Sequence, residues 1–158
     1  MANENSFSGP HLFAAFLCEK ILIERDNVPT FVRVAERFMV PVFVGQPPAG
    51  VQLPPQIVQT TLVVGLKSGD LGAGKHTVRV KMQKPDGSYL QENLAPVFFN
   101  GGDDNGALIG MPIAVMSPDE GLYWFEIYFE AALLTRVPMR VLHQEIGLPS
   151  NFPPSGEQ

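Results

Sequence analysis

Residues 100–106, NGGDDNG, form the densest cluster of hard oxygen ligands in the chain. Asp103, Asp104 and Asn105 offer carboxylate and amide oxygens, and the glycines let backbone carbonyls turn toward one point, as a calcium loop requires. The spacing is not that of an EF-hand, and a solvated turn is the plain alternative. A second acidic segment, residues 117–121, adds Asp119 and Glu120, which would reach the same ion if both loops shared one end of a sandwich. A mixed aromatic and acidic stripe follows, with Leu122, Trp124, Glu126, Tyr128 and Glu130 on alternate positions. Such a stripe suits a subunit or partner contact. On a carbohydrate-binding sandwich, the aromatics would stack on sugar rings while the acids held hydroxyls.

Other chemistry fails for want of partners. His11, His76 and His143 lie in separate segments, with no Cys or His pair at the spacing zinc needs. His76 takes an inward slot on an apolar face, which fits a core histidine, and Cys18 reads as a small core residue. There is no G-x-S-x-G elbow, no H-E-x-x-H, no P-loop and no dinucleotide-binding turn. The LGAGK at residues 71–75 lacks phosphate-loop spacing and leads into a strand pattern. The chain therefore reads as non-catalytic and without a cofactor.

The elements that must carry these residues are strands. In residues 120–141, Tyr123, Phe125, Ile127 and Phe129 fall on one face, and after a break Thr135, Val137, Met139 and Val141 do the same. Alternation of that kind predicts a hairpin with one face to bury. Residues 75–84 alternate most cleanly: His76, Val78, Val80 and Met82 point in, while Thr77, Arg79, Lys81 and Gln83 point out. Further strands are expected at residues 11–25, where a helical reading competes, and at 31–34, 38–44, 57–67, 89–99 and 107–115. Pro41 marks an edge or a bulge, and Pro138 places the second hairpin strand at or near an edge. Asp26-Asn27 and Pro85-Asp86-Gly87-Ser88 are turn signals. The proline-rich stretch 45–56 reads as a loop crossing between sheets. About eight strands without alternating helices predict an all-β, antiparallel β-sandwich, Ig-like or C2-like.

Composition agrees. The 158 residues suit one domain, expected over residues 11–145, with a flexible tail at 1–10 and a loosely held one at 146–158. Fifteen Gly and fifteen Pro fit short strands and many turns. A net charge of −5 argues against nucleic acid or an anionic membrane as the main partner. One cysteine, no export signal and no membrane-span-length apolar run point to a cytoplasmic protein.

Residues 12–38 (LFAAFLCEKILIERDNVPTFVRVAERF) and 121–141 (GLYWFEIYFEAALLTRVPMRV) resemble a family of small bacterial proteins built on a domain of unknown function. That resemblance implies a β-sandwich and brings no functional residue with it. The resulting expectation is a non-catalytic sandwich that works through contacts with a protein partner or as a homo-oligomer. A calcium- or carbohydrate-binding module is the alternative.

Overall fold

The computed structural model describes residues 9–90, 92–102 and 104–148. The expected calcium ligand Asp103, residues 1–8 of the first tail and residues 149–158 of the second lie outside the described residues. Nine strands occur among those described: β1 (His11–Ile23), β2 (Pro29–Val34), β3 (Arg37–Val44), β4 (Ile57–Lys67), β5 (Ala73–Gln83), β6 (Asn93–Asn100), β7 (Gly106–Met116), β8 (Gly121–Phe129) and β9 (Ala132–Gly147). They build a four-stranded sheet, β2-β1-β4-β7, and a five-stranded sheet, β3-β9-β8-β5-β6. All pairings are antiparallel except β3 with β9. Only a short 3-10 turn, Gly69–Leu71, interrupts the strands among the described residues.

The chain is an all-β sandwich, and the strand order assigns its class. Within the two sheets, the order β9-β8-β5-β6 against β1-β4-β7 is the G-F-C-C′ over A-B-E arrangement of an immunoglobulin-like sandwich, with β3 added beside β9 and β2 beside β1. No disulfide joins the sheets; Phe125, fully buried on β8, belongs to one hydrophobic core with Leu62 and Val64 of the facing sheet. Tyr123 stands two residues before Phe125 at the start of the F-like strand. Its hydroxyl turns toward the backbone of Asp119, four residues upstream, as in a tyrosine corner, but short of a well-formed hydrogen bond. Burial pushes the Tyr123 pKa up. A phenol whose folded pKa lies above its unfolded value stabilises the fold below about pH 10, and that stability is lost as pH rises through the folded value. In alkaline titration, Tyr123→Phe should therefore lose less stability above pH ~10 than the wild type; equal slopes would refute the assignment.

Proline positions follow the edges. Each of the four edge strands contains one: Pro29 in β2, Pro41 in β3, Pro96 in β6 and Pro112 in β7. A proline gives no ladder hydrogen, so each blunts its edge against pairing with another chain. Pro138 of β9 lies just before Arg140, where β3 begins to pair, so it is an edge only locally. The same parallel pairing carries β9 past the boundary expected at residue 145, as Ile146 and Gly147 pair with Phe43 and Val44. In the other direction, the strand expected from residue 89 begins only at Asn93, with Tyr89 making an isolated bridge to Gln83.

The first two strands do more than extend a sheet. In a straight strand Phe16 and Ile21 would lie roughly 17 Å apart on opposite faces. Yet Phe31, the partner of Ile21, packs edge-on against Phe16 with ring centroids 4.9 Å apart. β1 must therefore coil after Cys18 and lay its hairpin across the outer face of the four-stranded sheet, where Val63 is fully buried. Two glycines leave room for this cover. A Cβ on Gly65 would fall 2.5 Å from the Phe13 ring, and one on Gly110 2.5 Å from Ile21. Gly65→Val or Gly110→Val should cost about 1–3 kcal/mol by overpacking. Trypsin should then cut faster at Arg25 or Arg33 while Trp124 fluorescence stays native; unchanged cleavage would show that the cover does not depend on these sites.

Candidate functional site: the outer face of the five-stranded sheet

Register decides which outward side chains meet on the five-stranded sheet. Glu126 of β8 pairs with Arg136 of β9 on one side and Lys81 of β5 on the other. Trp124 lies opposite Pro138 and Gln83, and Tyr128 opposite Arg79. From these neighbours a connected network forms around Glu126, whose side chain is only 11% exposed. The Tyr128 hydroxyl donates to Glu126 Oε2 at 3.0 Å, and the Tyr89 hydroxyl approaches both carboxylate oxygens at 3.3 and 3.4 Å. Arg136 Nε sits 3.4 Å from Oε1, while its Nη2 donates to Gln83 Oε1 at 2.9 Å. The hydrogen bond to Glu126 raises the Tyr128 pKa.

The rings are covered. The Arg136 guanidinium lies 4.7 Å from the Trp124 ring centroid and that of Arg79 4.8 Å from Tyr128, with Lys81 at 5.5 Å. Arg79 also pairs with Glu92 at 3.2 Å. Cation–π stacking of this kind fixes long side chains before any partner arrives. Flanking the network, Leu94 and Phe98 of β6 are 66% and 60% exposed, and Leu133 of β9 and Met39 of β3 are also open to solvent.

Of the five residues expected to share this stripe, Trp124, Glu126 and Tyr128 form its centre. Leu122 lies beside Arg140, half-buried. Glu130 does not belong, which corrects the alternation read from sequence. β8 ends at Phe129, and Glu130, at φ 51°, turns away at the hairpin tip, while the register slip beside it leaves the extra residue, Leu134, on β9. There its carboxylate accepts from the Thr77 N–H at 3.0 Å and lies 3.5 Å from His76 Nδ1. His76 faces the rings of Phe99 and Phe129, at 5.7 and 5.1 Å, in the inward slot expected of it.

The loop before β7 fills its own carbonyls. Lys67 Nζ donates to the Asp104 carbonyl at 2.8 Å, Ser68 Oγ to that of Gly102 at 2.7 Å, and Asn105 Nδ2 to that of Gly101 at 3.1 Å. Side-chain donors of this chain thus engage three backbone carbonyls of the loop that carries Asp104 and Asn105. The second acidic loop does not join it. It lies at the other end of β7, an 11-residue strand roughly 35 Å long. There Asp119 pairs with Lys84 at 2.9 Å, and Glu120 accepts from the His143 N–H. No cluster of three His, Cys, Asp or Glu able to hold a metal occurs among the described residues. Cys18 is buried, and burial pushes its thiol up, away from the thiolate a nucleophile needs.

Arg136, Gln83, Tyr89, Leu94 and Phe98 were not singled out in the sequence. Outward alternation flagged some of these positions, but only strand register shows which of them touch.

No family model matches the chain, and no curated protein does. Among solved structures, a β-glucosidase from Listeria innocua in complex with isofagomine is similar over 89% of this chain and 17% of its own, at 10% identity and a TM-score of 0.46. A glycosyl hydrolase family 2 member from Bacteroides cellulosilyticus is similar over 52% of this chain and 12% of its own, at 8% identity and a TM-score of 0.41. An alkylpurine DNA glycosylase from Pseudomonas fluorescens, bound to DNA with an abasic site analog, covers 66% and 28%, at 12% identity and a TM-score of 0.39. This chain thus spans less than a fifth of either glycosidase. No activity passes to it from these likenesses. No helix among the described residues is long and apolar enough to cross a membrane.

Proposed function

We propose that this protein is a non-catalytic, cytoplasmic β-sandwich that acts by binding another protein through the outer face of its five-stranded sheet. One observation carries the reading: exposed Leu94, Phe98 and Leu133 flank a pre-ordered cluster of Trp124, Tyr128, Arg136 and Arg79. Aromatic and arginine side chains held rigid at a centre, with apolar residues beside them, are what protein interfaces favour. The covered rings speak against stacking on sugars, which would need their faces open. Prolines on all four edge strands turn contact away from edge pairing and toward this face.

A photo-crosslinking residue at Leu94 or Phe98 should give a discrete protein adduct in native extract. The same residue at Lys20, on the other sheet, should give none. Equal labelling at both places, or none at either, would refute the reading.

A further inference from the structure

Charge is segregated on this fold in a way that composition conceals. Six of the eleven Lys and Arg residues point outward from the five-stranded sheet: Arg37, Lys75, Arg79, Lys81, Arg136 and Arg140. Their orientation follows from pairing. Arg37 lies beside Arg140, and Lys75 lies beside exposed Phe98, whereas their neighbours Val40, Val141 and Phe99 are buried. Against these six cations stand two carboxylates, Glu126 within the face and Glu92 at its margin. The other five cations share the rest of the described surface with eleven carboxylates. The face therefore carries about four positive charges, and the remainder about six negative ones, before salt screening.

We infer that the partner bound by this face is an acidic protein surface or peptide that carries apolar side chains among its carboxylates. The inference rests on the protein-binding reading above and adds the partner's chemistry. Arg37 and Arg140 are exposed neighbours, and the ion pairs at this face engage Arg79 and Arg136 rather than them, so they are placed to meet incoming carboxylates. Leu94 and Phe98 supply apolar contact beside them.

Two other occupants fit less well. A two-fold dimer through this face would set one positive field against its copy, and like charge facing like charge is costly. Single-stranded nucleic acid binds by stacking bases on open rings, and here guanidinium groups already cover Trp124 and Tyr128.

The test uses three labelled probes on the full chain: a peptide alternating glutamate with leucine, the same peptide with lysine for glutamate, and oligothymidylate. The glutamate peptide should bind, weaken as salt is raised, and lose tenfold or more in affinity to the Arg37→Glu/Arg140→Glu variant. Both substitutions are at exposed positions, and circular dichroism checks that the fold persists. A Lys20→Glu control should bind as the wild type does. Preference for oligothymidylate, equal binding of the lysine peptide, or dimerisation of the free chain through this face would overturn the inference. If the glutamate peptide fails while Leu94 still crosslinks in extract, the partner is a protein but not an acidic one. If both fail, the protein-binding reading falls as well.

Discussion

Replacing Phe125 by alanine should remove about 3–5 kcal/mol of stability, the range for truncating a fully buried phenylalanine. Phe125 is completely buried, paired with Met82 and Val137 on its own sheet and part of one core cluster with Leu62 and Val64 of the other. It stands where immunoglobulin domains place the second cysteine of their inter-sheet bridge, so apolar packing alone must hold the sheets together here. A domain of this size holds only about 5–15 kcal/mol in all, so the variant should melt on the order of 10 °C lower, or fail to fold at 37 °C. Chemical denaturation of Phe125→Ala and Phe125→Leu separates the causes. The leucine variant should recover more than half of the loss. Equal losses would mean that ring shape, rather than buried volume, matters at this position.

Second in size is Glu126→Ala. Removing this carboxylate strips the acceptor from Tyr128 and Tyr89 and the counter-charge from Arg136. Those three groups are not sealed in, since Tyr89 is half-exposed and the Arg136 side chain is 40% exposed. Water can replace part of what is lost. The expected cost is therefore about 1–3 kcal/mol rather than the larger penalty of a stranded buried charge. Freed from Glu126, Arg136 should leave Trp124, and the tryptophan emission should shift. Glu126→Gln keeps the shape and one acceptor, so it should cost less. Arg136→Ala combined with Glu126→Ala should be less destabilising than the sum of the two single changes; strict additivity would show that the pair is not coupled. Binding at the face should fall in both single variants, because each loosens the ordered cluster.

Local residue pattern is enough to set the strands and the sidedness of most of them. Alternation in β5 and β8 placed Val78, Val80, Phe125 and Ile127 inside, and it did so because a period of two is imposed by the pleat of any strand. Turn chemistry was equally local. Pro85-Asp86-Gly87-Ser88 closes with Gly87 at φ 85° and the Ser88 N–H on Asp86, as its residue types dictate.

Register and curvature were decided only in the tertiary structure. A positive φ in the β8–β9 turn took Glu130 from the stripe to the hairpin tip, and nothing in residues 131–135 announces the one-residue slip that leaves Leu134 of β9 unpaired with β8. Opposite ends of β7 separated two acidic loops that look combinable in sequence, and Lys67, distant in the chain, donates to the Asp104 carbonyl. For the contact stripe at Trp124 and Tyr128, local pattern gave the residues that point outward. What surrounds them, Arg136 and Arg79 over the rings and six cations on one sheet face, depends on which strands lie side by side. Net charge sums over the whole chain, so a value of −5 hides a basic face until pairing gathers its members from β3, β5 and β9.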